Sequence, residues 1–306
     1  MKRIANIASI FILFLSTYTY AQQNPHYTQY MYNMVILNPA YAGARADLTI
    51  GGLSRTQWVG IEGAPTTKTF SLNARVVDGL GLGLSVVNDK LGLLENTDFN
   101  LDVSYTLVMG YHQRLALGIK GGFSNFSNNL AAGVTPDNDV YASTSGTYPN
   151  FGMGVYYYND TWFGGVSVPQ LFKTPKFRLD ETYTAGITEF TNIFATFGMR
   201  FELNEDLYFK PSTMVKYTKG VPLSVDLNSN FLYKEFIELG VSYRYDDSVS
   251  AMIAILPNKN MRIGYSYDYT LTNLGKYNSG SHEIILLFDI DFAKRSRWLK
   301  GTSCYF

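Results

Sequence analysis

Apolar and polar residues alternate with a period of two along most of the chain. Phe99, Leu101, Val103, Tyr105, Leu107 and Met109 line one side of a segment whose other side carries Asn100, Asp102, Ser104 and Thr106, as in a strand with one apolar and one wet face. Leu80, Leu82, Leu84 and Val86 oppose Gly79, Gly81, Gly83 and Ser85, and Leu115, Leu117 and Ile119 oppose Arg114, Gly118 and Lys120. Toward the C-terminus Ile237, Leu239, Val241, Tyr243 and Tyr245 oppose Glu238, Gly240, Ser242 and Arg244. Ile263, Tyr265, Tyr267 and Tyr269 likewise oppose Arg262, Gly264, Ser266 and Asp268, and Ile284, Leu286, Phe288, Ile290 and Phe292 oppose Glu283, Asp289 and Asp291. Strands are predicted near 47–56, 67–77, 79–88, 98–109, 112–123, 149–158, 161–168, 192–203, 206–217, 222–232, 236–245, 248–256, 260–269 and 281–292, about fourteen in all.

Both a soluble sandwich and a membrane barrel alternate; the difference lies in what covers the apolar face. Charged residues make up only 16% of the 306 residues and aromatics 15%, too little charge and too much apolar surface for a chain bathed in water. Tyr156-Tyr157-Tyr158 beside Trp162, and Tyr265, Tyr267 and Tyr269, fit the aromatic girdle of a barrel at the membrane interface. The expected fold is therefore all-β, a transmembrane antiparallel barrel of about fourteen strands over 47–292, with an even strand number. Long connections at 57–66, 124–148, 169–191 and 270–280 contrast with tight turns such as Asn204-Glu205-Asp206 and Asp246-Asp247, and short turns belong on the periplasmic side.

Lys2 and Arg3, the apolar run Ile10–Leu15 and the small residues ending at Ala21 have the form of a secretory signal peptide over 1–21. The longest later apolar run, Ile284–Phe288, is too short for a spanning helix, so a membrane location demands a closed barrel. Lys and Arg balance Asp and Glu at 25 each, which removes the basic footprint of a nucleic-acid binder. The lone Cys304 excludes a disulfide framework and a lipid anchor near the cleavage point.

Residues 22–46 read as an N-terminal periplasmic or plug segment. Tyr27, Tyr30, Met31, Met34 and Leu37 form a helical stripe ended by Asn38-Pro39. Three places could cover the stripe: the barrel mouth, the inner leaflet interface or a periplasmic partner. The inward set of Asp102, Arg114, Lys120, Arg200, Lys210, Asp226, Glu238, Arg244, Arg262, Asp268, Glu283 and Asp289 mixes both signs, which suggests a lumen crossed by ion pairs. Residues 293–306, basic with Trp298, read as a solvated periplasmic tail.

Little points to catalysis. His26, His112 and His282 stand apart, so no metal cluster is expected. Ser281, His282 and Glu283 alternate faces and cannot form one relay. Asp137-Asn138-Asp139 lacks the remaining ligands of a calcium loop. Gly79, Gly81 and Gly83 precede no helix and so cradle no phosphate; they leave room on the inner face for another segment. Neither cofactor nor enzymatic activity is expected.

Several stretches resemble a known family: NPHYTQYMYNMVILNPAYAGAR at 24–45, RTQWVGIEGAPTTKTFSLNA at 55–74, VSVPQLF at 166–172, KPSTMVKYTKGVPLSVDLNSNFLYK at 210–234 and IGYSYDYTLTNLGKYNSGSHEIILLF at 263–288. In combination they are similar to the PorP/SprF outer-membrane proteins of the Bacteroidetes type IX secretion system. The resemblance implies a non-enzymatic barrel that helps particular cargo, such as large gliding adhesins, cross or stay on the outer membrane through their C-terminal domains. It also implies contact with periplasmic type IX components and with outer-membrane lipid. Asn38, Pro39, Ala40, Arg55, Trp58, Gly60, Pro65, Asp226, Asn228, Asp268, Gly280, Ser281, His282 and Glu283 occupy the motif positions and become candidate partner contacts. Trp58, Ile61 and Pro65 form a plausible docking loop. The alternatives are a passive or solute-selective porin and, with little support, an outer-membrane lipid hydrolase.

Overall fold

A computed structural model describes residues 25–110, 112–129, 144–171 and 191–292. The signal peptide, Tyr111, the Asp137-Asn138-Asp139 turn, most of the 169–191 connection and the tail from 293 lie outside the described residues. The strands are β1 Leu48–Thr56, β2 Thr66–Val77, β3 Leu80–Leu91, β4 Leu94–Gly110, β5 Gln113–Asn128, β6 Thr144–Tyr158, β7 Trp162–Val168, β8 Asn192–Met199 and β9 Phe201–Asn204. They continue with β10 Leu207–Thr218, β11 Ser224–Tyr233, β12 Ile237–Arg244, β13 Ser248–Asn258, β14 Met261–Thr270 and β15 Ser281–Ile290. All pair antiparallel with their neighbours, and β15 returns to pair with β1 from Leu48↔Ile290 to Thr56↔His282, closing the ring. The segments β8 and β9 both pair with β10 and are two halves of one stave broken at Arg200. The barrel thus has fourteen staves.

Burial decides between barrel and sandwich. Leu101, Ile119, Leu239, Val241 and Ile284 are each at least half exposed, whereas Asp102, Lys120, Glu238, Ser242 and Glu283, one position away, are buried. A sandwich would hide its apolar faces in a core. Here they form the outer wall, which only hydrocarbon can cover. The hydrogen-bonded ring satisfies the backbone, as lipid requires.

Three expectations are corrected. First, β3 and β4 run up to a tight link at 92–93 and pair through Lys90↔Glu95 and Leu91↔Leu94, so 89–91 and 94–97 are strand and the 124–148 connection is partly wall. Asn88, Asp89, Lys90, Asn96, Thr97 and Asp98 carry no alternation, because here both faces of the ladder are polar. Second, Tyr156 and Tyr158 are buried inside, and only Tyr157 keeps the girdle position, stacked on Trp162 at 4.5 Å; consecutive residues cannot share a face. Third, staves alternate in direction, so the Asp246-Asp247 turn sits at the end that carries 57–65 and 271–280, opposite the Asn204-Glu205-Asp206 turn. Leu271 N–H donates to the Asp247 carbonyl at 2.8 Å. Of the inward set, Arg200 is the outlier: its guanidinium stacks 4.0 Å over the Tyr208 ring at the stave break.

Val241 lies mid-stave on the outer face. Val241→Arg is expected to lower stability in lipid by roughly 2–4 kcal/mol if it sits near the bilayer midplane, read by denaturant titration of the protein folded into vesicles.

Candidate functional site

The lumen is filled by the chain itself. Residues 25–46 lie inside the ring and are buried almost throughout, and Tyr27, Tyr30, Met31, Met34, Leu37 and Tyr41 join Tyr156, Tyr158, Phe163 and Leu287 of the wall in one core. The continuous helix expected here is absent. The segment instead makes three separate 3-10 turns at Tyr30–Tyr32, Met34–Ile36 and Pro39–Tyr41. A helical stripe presupposes a solvated opposite face, but Tyr32 and Val35, off the stripe, are buried as deeply as Met31. Asn33 breaks the first turn and its side-chain oxygen accepts from Ser71 at 3.0 Å. Asn38, expected to end a helix, starts the last turn: its oxygen accepts from Ala40 N–H at 3.0 Å and its amide donates to the Val155 carbonyl at 3.0 Å, with Pro39 at the first position. Wall side chains replace the helical ladder as partners, as buried backbone demands.

Glycines admit the segment. A side chain at Gly81 would strike the Ala42 carbonyl, one at Gly83 the Val35 side chain, and one at Gly118 the backbone of Pro39 and Ala40. The room expected at Gly81 and Gly83 is thus used, while Gly79 serves the β2–β3 turn with φ +83°.

Three polar clusters fasten the segment from end to end. At the loop end, the Arg55 guanidinium reaches Asp268 at 2.7 Å and Glu283 at 3.2 Å, all three buried. The Glu283 carboxylate accepts Thr28 N–H at 3.0 Å and Gln29 N–H at 2.8 Å, and the Thr28 hydroxyl donates to Asp268 at 2.8 Å. Carboxylates that accept several donors while paired with Arg are the strongly held kind. At mid-depth, Asn228 donates to the Tyr30 hydroxyl at 3.0 Å. Nearer the turn ends of β10, β12 and β14, Tyr32 donates to Glu238, which also takes Lys210 at 3.2 Å and Arg262 at 2.8 Å, and Arg262 lies 4.1 Å over the Tyr32 ring. At the turn end, Arg45 pairs with Asp289 at 2.7 Å, and Arg75 donates to the Gly43 carbonyl at 3.0 Å. Arg244 with Asp226 at 2.8 Å and Lys120 with Asp102 at 2.9 Å close ion pairs within the wall.

The candidate residues therefore separate into two groups. Asn38, Pro39, Ala40, Arg55, Asn228, Asp268 and Glu283 converge on the filled lumen, with Asp226 beside them. The others gather at the loop end outside it. Trp58 N–H donates to the buried Ser281 hydroxyl at 3.2 Å, Val59 N–H to the Gly280 carbonyl at 2.9 Å, and Ser279 N–H to the Val59 carbonyl at 2.7 Å. These bonds continue the β1–β15 seam into both loops. Gly60 and Gly280 adopt φ of +101° and +89°, which suits glycine. Trp58, Ile61 and Pro65 are half-buried, with Ile61 N–H bonded to the Trp58 carbonyl. His282 points the other way from its neighbours, its ring nitrogen 2.7 Å from the Tyr265 hydroxyl. Ser281, His282 and Glu283 do not assemble. Among the described residues, no group of three His, Cys, Asp or Glu could hold a metal ion.

Sequence reasoning missed Thr28, Tyr32, Arg45 and Arg75 as fasteners, and with them Asn73, whose side-chain oxygen accepts from Gly43 N–H. The signals that did point to an enclosed segment were the inner-face glycines Gly81 and Gly83 and the apolar stripe of 27–37, while the inward set, with Lys210, Glu238 and Arg262, suggested ion pairs.

A closed ring with a lipid-facing apolar wall and a packed polar bore defines an outer-membrane β-barrel. Among solved structures the chain is similar to the CymD monoaromatic hydrocarbon channel, with a TM-score of 0.52 at 10% identity over 85% of this chain and 93% of that one. It also resembles Omp33 of Acinetobacter baumannii, at 0.47 and 7% identity over 81% and 100%. At such identity the likeness to CymD speaks for the fold alone. No curated protein matches. The model of the type IX secretion system membrane protein PorP/SprF matches residues 19–288, and the chain belongs to that family.

Glu283→Ala would leave the Thr28 and Gln29 N–H groups without their acceptor and Arg55 with Asp268 as its one remaining carboxylate. The expected loss is about 3–5 kcal/mol of stability, accompanied by faster amide exchange across 25–33 in hydrogen-exchange mass spectrometry; unchanged exchange there would refute the fastening role.

Proposed function

We propose that this barrel is a plugged, non-enzymatic platform that supports secretion or surface anchoring of particular type IX cargo by gripping their C-terminal domains with its loop-end face. In this reading its turn end meets periplasmic components of the machinery, and export depends on the N-terminal signal. Gliding adhesins are one cargo class that the reading accommodates. The observation that carries it is the filled lumen: a bore occupied by 25–46 and locked by buried ion pairs is poorly suited to passing solutes, which shifts the weight to the surfaces. At the loop end, Trp58 and Ile61 stand on a braced support next to Tyr277, which is 74% exposed, and aromatic groups on rigid supports make effective contact points.

A porin is the second reading, favoured by the likeness to a channel barrel. Planar-bilayer recordings separate the two. The intact protein is expected to be electrically silent and a variant lacking 25–46 to conduct; steady currents from the intact protein favour the porin. In cells, deletion of the gene is expected to leave selected type IX substrates trapped in the periplasm or shed into the medium, and normal display of every one of them counts against the platform.

A further inference from the structure

We infer that a cavity beside the β2–β3 turn holds the headgroup of a zwitterionic phospholipid from the adjoining leaflet, its phosphate at Arg114 and its ammonium at Asp78. The rim of the wall is uneven there. Pairing of β3 with β4 ends at Leu80↔Tyr105, and Thr106 N–H closes the step by donating to the Gly79 carbonyl at 2.7 Å. Yet β4 runs on to Gly110 and pairs with β5 as far as Gly110↔Gln113. Beside this taller hairpin the rim dips over Asp78 and Gly79, and a cavity of about 210 Å³ opens in the dip.

Its lining comes from both faces of the wall. Arg75, Arg114 and Tyr158 approach from the bore, where Gly43 lies against Gly81, while Tyr105 and Leu107 belong to the exposed outer face that hydrocarbon covers. A fitting occupant is apolar at one end and charged at the other. The depth is that of headgroups. Leu107 faces Leu115 and Leu115 faces Tyr157 along the outer ladder, and Tyr157 stacks on Trp162; aromatic residues of this kind gather where hydrocarbon gives way to water. At this level the apolar side of the cavity already faces acyl chains, which favours a lipid over a soluble peptide.

The charges choose the headgroup. Arg75 is offset by Asp47 at 3.3 Å and donates to the Gly43 carbonyl at 3.0 Å. Arg114, buried and donating to the Gln113 carbonyl at 3.1 Å, adds a cation on the inner side, and Asp78 sets a carboxylate on the exposed turn. A positive group inside and a negative one at the rim match a headgroup that enters phosphate first and leaves its amine outward. A headgroup without an amine would set its negative charge near Asp78 with nothing to offset it.

The inference rests on the proposed orientation, with the turn end at the periplasmic leaflet, and the test separates the two. Native mass spectrometry of the intact barrel, released from vesicles of equal parts phosphatidylethanolamine and phosphatidylglycerol, reads which lipid stays bound. The unaltered protein is expected to retain phosphatidylethanolamine in preference. Arg114→Gln should lower that retention about tenfold, the weight of one charge-assisted bond. Asp78→Asn, on an exposed turn that folding does not depend on, should keep a lipid bound but lose the preference. Equal retention by the unaltered protein and R114Q, or an unchanged preference in D78N, would overturn the site. In cells, a benzophenone amino acid in place of Val108 is photo-crosslinked and the adduct weighed. A glycerophospholipid adduct is the expected result. A protein adduct would overturn the lipid assignment with the orientation intact, and a lipopolysaccharide adduct would overturn the inference through the orientation itself.

Discussion

A closed barrel traps whatever its inner face carries. Alternation puts Asp102, Lys210, Asp226, Glu238, Arg244, Arg262, Asp268 and Glu283 where no lipid can reach them, and charge withdrawn from water must find partners or be neutralised. In a wide pore, water would supply them. Here wall ion pairs such as Lys120–Asp102 and Arg244–Asp226 supply part of them, residues 25–46 add Tyr32 to Glu238 and Thr28 and Gln29 to Asp268 and Glu283, and much of the rest of the architecture follows. The glycines on the inner wall make room for this segment. Its backbone gives up the helical ladder because the wall offers donors and acceptors at every level, from Ser71 and Ser167 to Glu283.

The wall was largely legible from alternation, since covering one face with hydrocarbon leaves a strong period in the sequence. Ile237–Arg244 and Ser281–Ile290 fall close to where the pattern puts them. The pattern fails where that cause is absent: the upper parts of β3 and β4 are strand by pairing alone, with Asn88 bonded to Glu95 and Thr97. The lumen segment was misread for the opposite reason. Tyr27, Tyr30, Met31, Met34 and Leu37 do recur at helical spacing, but a segment enclosed on every side has no polar face to complete the pattern, and Tyr32 and Val35 are as buried as the rest.

The family motifs take on a physical meaning in this arrangement. The residues of NPAYAG at 38–43, Arg55, Asp268 and Glu283 are far apart in sequence and meet around one buried path. They are first of all internal fasteners. As a set they resemble a recognition site because a fastening cluster and a binding cluster demand the same chemistry, paired charges with every donor used. The surface members, Trp58, Gly60, Ile61 and Pro65, remain with the loops, and the bonds of Val59 to Ser279 and Gly280 hold them level with the seam.

Thirteen of the fourteen joints between staves are covered by a chain connection at one rim or the other. The joint between β1 and β15 is not, because the wall begins and ends there. Along it, Asp47 accepts from Phe292 N–H at 2.8 Å, Arg45 binds Asp289, and Arg55 binds Glu283 while Glu283 holds Thr28 and Gln29. The enclosed stretch is therefore basted across the one gap that covalent continuity leaves open. Pulling the stopper from such a vessel also takes stitches out of its side, leaving the ladder from Leu48↔Ile290 to Thr56↔His282 to hold the joint without them.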